Sequence, residues 1–173
     1  MAKECDRNHG ALMTEEMVIG LANELAQRQL KIVFAESCTG GLVSAALAGV
    51  PGISEWLCGS SVTYRCATKV AWLGVDAEHI EQHTAVSSGV ALQMAVGVLA
   101  KTPEADLALS ITGHLGPGAP ESMDGLVFVG IARREQRDGP ATNVIRHVLV
   151  TKERLVRQRE AASFVLLTAL EGL

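Results

Sequence analysis

Lys31-Ile32-Val33-Phe34-Ala35-Glu36-Ser37-Cys38-Thr39-Gly40-Gly41-Leu42-Val43-Ser44-Ala45-Ala46-Leu47-Ala48 is the stretch around which the chain is organised. Residues 31–35 are short and rich in β-forming side chains. Thr39-Gly40-Gly41 then permits a sharp turn before the small apolar run 42–48. The reading is strand, tight loop, helix. Val50-Pro51-Gly52 ends that helix, because proline biases its predecessor away from helical backbone and glycine tolerates positive φ. Upstream, Met17, Val18, Leu21, Ala22 and Leu25 recur at helical steps, and Thr14 is placed to cap a helix over Glu15–Arg28 through Met17. Residues 60–64 read as a second strand.

Further along, 69–73 and Ala77–His83 are short helices, and Ser87 caps a longer one whose face carries Val90, Met94 and Val98. Residues 105–112 and 126–132 are near-continuous apolar runs, as expected of central strands covered on both faces. Between them, Gly113-His114-Leu115-Gly116-Pro117-Gly118-Ala119-Pro120 excludes regular structure and reads as a long functional loop. Residues 143–151 pair back through the polar turn Arg137-Asp138-Gly139-Pro140, and a last helix covers 154–170. Strands alternate with helices early and form a hairpin late. The fold class expected is therefore α/β, a single-domain three-layer α/β/α sandwich with a mixed β-sheet over 13–173, after a polar, flexible N-terminal tail at 1–12.

Composition narrows the function. A chain of 173 residues is sized for one domain that buries about two-thirds of its unfolded surface. Apolar residues make up 48% but aromatics only 3%, so the core is built from small aliphatic side chains packed closely. The net charge of −4, without a basic cluster, argues against nucleic-acid or membrane partners and for a small soluble substrate. Cys5, Cys38, Cys58 and Cys66 lack zinc or disulfide spacing and read as reduced thiols of a cytoplasmic protein. No export signal is expected, and no apolar run reaches the ~18 residues of a membrane span.

Ser37, just after a strand and before a glycine-softened helix start, is placed among unpaired backbone donors and the positive end of a helix dipole. That suits a nucleophile beside an oxyanion site. It equally suits a plain N-cap, a role open to Thr39 as well.

Four segments decide between these readings. Ala35-Glu36-Ser37-Cys38-Thr39-Gly40-Gly41, then Val62-Thr63-Tyr64 with Lys69 and Leu73-Gly74-Val75, then His83-Thr84-Ala85-Val86-Ser87, then Thr112-Gly113-His114-Leu115-Gly116-Pro117 together resemble the CinA C-terminal domain family. The resemblance covers roughly residues 15–172, in the family's order. Its members include nicotinamide-nucleotide amidohydrolases, which convert nicotinamide mononucleotide to nicotinate mononucleotide and ammonia without metal or cofactor. The resemblance implies Ser37 as nucleophile, Lys69 and Tyr64 as the proton-transfer pair, a pyridine-nucleotide substrate, no cofactor, and a homo-oligomer of at least two copies. Physically, Lys69 must lose its proton to act as a base, so its pKa must fall well below ~10.4. Without the family, Lys69 reads as solvated and Tyr64 as a core ring. Thr39, Gly40 and the backbone from Gly113 through Gly116 to Gly118 are candidate donors to an oxyanion or phosphate. Arg157 is either a phosphate clamp or a charge on an exposed helix face.

The chain departs from the family pattern at Cys66, where a polar amide is usual, in the bulkier loop at His114 and Leu115, and at Glu153, where an arginine is expected. His114 is a general acid, a phosphate donor or only a loop residue, and stays outside the catalytic set. Two rivals to the enzyme remain: a nucleotide-binding protein without turnover, and an interaction domain.

Overall fold

The computed structural model describes residues 13–135 and 139–173. The expected tail at 1–12, with Cys5, and Arg137 and Asp138 of the expected turn lie outside the described residues.

Chain order is α1 (Glu15–Arg28), β1 (Ile32–Glu36), α2 (Leu42–Ala48), β2 (Leu57–Val62), α3 (Cys66–Leu73), α4 (Ala77–His83), α5 (Ser88–Lys101), β3 (Leu107–Gly113), β4 (Leu126–Arg133), β5 (Ala141–Val148) and α6 (Arg154–Gly172). Local chemistry sets the helix starts as expected. Thr14 Oγ1 accepts from the N–H of Met17 at 3.2 Å, and the Ser87 side chain accepts from Val90. The second strand runs earlier than expected, Leu57–Val62 rather than 60–64, so Tyr64 lies beyond its end.

The strands form one five-stranded sheet in the order β2-β1-β3-β4-β5. β1 pairs parallel with both β2 and β3, whereas β3/β4 and β4/β5 are antiparallel. The expected α/β, mixed-sheet, single-domain architecture is what the chain adopts. β3 and β4, the near-continuous apolar runs, are interior strands as expected, and β1 beside β3 is buried along its whole length.

Alternation along the strands feeds two cores. Ile32, Phe34, Leu107, Leu109, Ile111, Val127 and Val129 face α1, α2 and α6, where Leu21, Leu25, Val43, Leu47, Ala161 and Val165 meet them. Val33, Ala35, Ala108 and Ala132 face α5 through Val90, Met94, Ala95 and Val98. Each fully buried aliphatic or Phe side chain contributes about 1.5–3 kcal/mol. The second core is the thinner one, because apart from Val33 its strand side is mostly alanine and glycine. A Cβ on Gly130 would lie 2.3 Å from the carbonyl oxygen of Ala91, so α5 rests almost on the sheet backbone.

This topology gathers one edge. β1, β2 and β3 are mutually parallel, and β5, two antiparallel steps from β3, runs the same way. The segments leaving all four strands therefore emerge together: Ser37, Thr63-Tyr64, the 113–120 loop and the start of α6. Crevices at the carboxyl ends of parallel strands are where α/β folds bind ligands.

Candidate active site

Ser37 is the first residue past β1, with its N–H donating to the Ile111 carbonyl at 3.0 Å. Its Oγ lies 2.8 Å from Nζ of Lys69. Lys69 comes from the first turn of α3, where Thr68 Oγ1 accepts from the N–H of Arg65, and the N–H of Lys69 itself donates to the Arg65 carbonyl. That start turns the lysine inward beneath the end of β2, where it is 1% exposed and Nζ also donates to the carbonyl of Thr63 at 2.6 Å. The solvated reading of Lys69 is thus overturned. The acceptors around Nζ are a hydroxyl and carbonyl oxygens, with no carboxylate among them. Burial, opposed only by the thiols of Cys66 and Cys38, lowers its pKa below the ordinary 10.5.

On the other side of Ser37 lies Glu36, which the sequence reading quoted but gave no role. Its fully buried carboxylate accepts from the hydroxyls of Thr39, Ser44 and Ser60 and from the N–H groups of Gly41, Val43 and Ser44. It closes the N-terminus of α2 and ties the turn to β2. Thr39 and Gly40, expected to donate to substrate, are engaged within this turn instead. The Thr39 hydroxyl is 2.8 Å from Glu36 Oε2, and the Gly40 N–H donates to the Ser37 carbonyl. Gln158 of α6 donates to the Thr39 carbonyl and clamps the turn from outside.

An open cavity of about 260 Å³ lies over Ser37 and Lys69. Tyr64, Thr112, Gly113, His114, Gly116, Gly118 and Arg154 line it. Gly113, expected in the loop, is instead the last residue of β3, where a Cβ would meet Val127 at 2.4 Å, while Gly116 lies in the loop with φ +68° and passes over Arg157. The Tyr64 ring is 56% exposed, contrary to a core role, and its hydroxyl accepts from Nη2 of Arg154 at 2.8 Å rather than touching Ser37.

Arg157 needs correction on both expected readings. It is not on an exposed face but 4% exposed, and the guanidinium expected to meet a phosphate is engaged by Asp124, with two nitrogens 2.7 Å from the two carboxylate oxygens. Nε donates to the Thr151 carbonyl and Nη1 to that of Leu115. This pair holds Asp124 below the usual carboxylate range and pins the loop after β3 onto α6. The cation at the cavity is Arg154, one turn earlier, whose Nη1 donates to the Gly116 carbonyl. The sequence reading weighs Arg154 only as a cation, with Lys152, that could offset Glu153.

The Cys38 thiol, beside the nucleophile, is buried and its pKa is pushed up to about 12 by that burial. Cys38, Cys58 and Cys66 are free thiols. Among the described residues no cluster of three or more His, Cys, Asp or Glu is placed to hold a metal ion, and no helix is long and apolar enough to cross a membrane.

The sequence matches the CinA C-terminal domain family over residues 14–171. It is 46% identical over 124 residues to a CinA-like protein of Dictyoglomus thermophilum, covering 70% of this chain and 29% of that protein. It is 37% identical over 151 residues to a putative competence-damage inducible protein of Clostridium botulinum strain Loch Maree, covering 83% and 36% respectively. The chain thus spans about a third of the length of such curated relatives. The structure is similar to the crystal structure of competence damage-inducible protein A from Klebsiella pneumoniae, with TM-score 0.82, 28% identity, and coverage of 95% of this chain and 96% of that one. A competence/damage inducible protein of Agrobacterium tumefaciens gives TM-score 0.78 and 30% identity over 93% and 99%. With the motif order, the fold and the matched span in agreement, the chain belongs to the CinA C-terminal domain family.

Proposed function

We propose that the protein is a serine amidohydrolase acting on the carboxamide of nicotinamide mononucleotide. The observation that carries the reading is the buried 2.8 Å contact between Lys69 Nζ and Ser37 Oγ, with no counter-charge to hold the lysine protonated.

In this reading neutral Lys69 takes the proton of Ser37 as Oγ bonds to the amide carbon. The N–H of Cys38, at the turn after the nucleophile, donates to the oxyanion that forms. The tetrahedral species collapses by breaking the carbon–nitrogen bond, and the proton held by Lys69 leaves with the nitrogen as ammonia. Water then adds to the acyl-Ser37 ester, giving its proton to Lys69, and the carboxylic acid departs as Oγ regains that proton. The balance is amide plus water to acid plus ammonia. Tyr64, at the cavity, assists leaving-group protonation once its hydroxyl exchanges Arg154 for the substrate.

Ammonia release from nicotinamide mononucleotide by the folded wild type, Ser37→Ala and Lys69→Met tests the proposal. Turnover in the wild type should fall about 10²–10⁴-fold in Lys69→Met and at least as far in Ser37→Ala. Equal turnover in all three would sink it. The engagement of the Tyr64 hydroxyl by Arg154 favours one rival, a nucleotide-binding protein without turnover. Nucleotide-induced thermal stabilisation of the wild type without ammonia release would select that rival.

A further inference from the structure

We infer that Thr112 is a positioning residue: through the Ala85 carbonyl its hydroxyl holds one wall of the Ser37 cavity against backbone strain at Thr84. The activity test of this inference rests on the amidohydrolase reading. Ala85 and Val86 line the cavity beside Ser37. They directly follow Thr84, which ends α4 with φ +67° and ψ 163°. That backbone region is open to glycine and costly for a residue with a Cβ, above all a β-branched one.

Little around the Thr84 side chain offsets that strain. It is exposed, and its Oγ1 meets only its own turn, accepting from the Val86 N–H at 3.4 Å and donating to the Val86 carbonyl at 3.3 Å. α4 before it has no fully buried residue. The firmer contacts come after it. Val86 is buried, Ser87 donates its hydroxyl to the Thr84 carbonyl while capping α5, and Thr112 Oγ1 donates to the Ala85 carbonyl at 2.8 Å. The last is the shortest of these bonds and ties the wall to the sheet. Thr112 is 1% exposed on β3, the middle strand, so its hydroxyl is fixed independently of the segment it holds. Strain and brace thus act against each other on one wall: Thr84 favours it displaced, and Thr112 holds it in place. Removing the hydroxyl lowers the fraction of molecules with the wall in place, which raises KM in proportion and leaves kcat alone.

The test measures ammonia release from nicotinamide mononucleotide by the wild type, Thr112→Val, Thr112→Ser and the double variant Thr112→Val with Thr84→Gly. KM should rise about fivefold to fiftyfold in Thr112→Val with kcat within about twofold, and stay within about threefold of the wild type in Thr112→Ser. The double variant should return to about that threefold range, because glycine removes the strain that displaces the wall. A hydroxyl that touched substrate instead would leave the double variant as impaired as Thr112→Val. That result, or an unchanged KM in Thr112→Val, overturns the inference and leaves the amidohydrolase reading intact. Thr84→Gly should also melt about 2–6 °C above Thr84→Ala, the reverse of the order at an ordinary position, and the ordinary order would overturn the inference as well. If the folded wild type releases no ammonia, the amidohydrolase reading fails separately, and ¹⁵N relaxation at Ala85 and Val86 decides. Exchange broadening that appears in Thr112→Val and is removed in the double variant supports the brace, whereas none, or the same in both, refutes it.

Discussion

The two sides of Ser37 hold ionisable groups that are equally hidden and opposite in use. Glu36, 0% exposed, has its carboxylate among six donors, three on each oxygen, and three of these are N–H groups at the start of α2. Lys69, 1% exposed, has a hydroxyl and carbonyl oxygens around Nζ and no carboxylate, so burial outweighs the opposing influence of the Cys66 and Cys38 thiols. A buried charge with every lone pair satisfied stabilises the local structure, whereas one left short of partners moves its pKa and becomes reactive. The carboxylate builds the turn that presents Ser37, and the amine is placed to take its proton.

The comparison breaks first at Glu36. Glu36→Gln puts an amide NH₂ against donors that now converge on oxygen, and should cost about 3 kcal/mol or more in urea denaturation, with Ser37 mispositioned in whatever remains folded. A loss under 1 kcal/mol would mean that Glu36 is not the structural member of the pair. Arg157 is the same kind of group as Glu36, buried and matched, while Arg154 is its exposed counterpart at the cavity. The smallest effect is expected at Cys38. Its thiol is held neutral by burial, so Cys38→Ala should leave turnover within about twofold and cost only about 1 kcal/mol of packing. Loss of turnover in a stable Cys38→Ala protein would give the thiol a share in the chemistry.

What was legible in the sequence was local or periodic. The Thr14 cap, the helix at Ala77–His83 and the apolar runs of β3 and β4 depend on neighbours in sequence, and they stand close to where the residues put them. β2 was displaced because it is a partly exposed edge strand interrupted by Gly59, without the alternation that locates a strand. The site was legible through motif resemblance for Ser37 and Lys69, since nothing in the residues around Lys69 predicts its burial. The mistakes were matters of distant pairing. Arg157 finds Asp124 33 positions away, and Glu36 gathers donors as far as Ser60. Arg154 reaches the cavity only because β5 runs parallel to β3 two strands away.

The central claim is that Lys69 serves Ser37 as a neutral amine. Titration of the lysine amines by NMR in ¹³Cε,¹⁵Nζ-labelled protein, with Lys69 assigned by its loss in Lys69→Met, tests it directly. Because the folded pKa lies below 10.5, the folded chain binds fewer protons than the unfolded one between those two values, so stability should rise with pH across that window. The account predicts that Lys69 deprotonates below 10.5 and that ammonia release rises along the same curve. A Lys69 resonance that stays protonated to 10.5 or above, in folded and active protein, would contradict it.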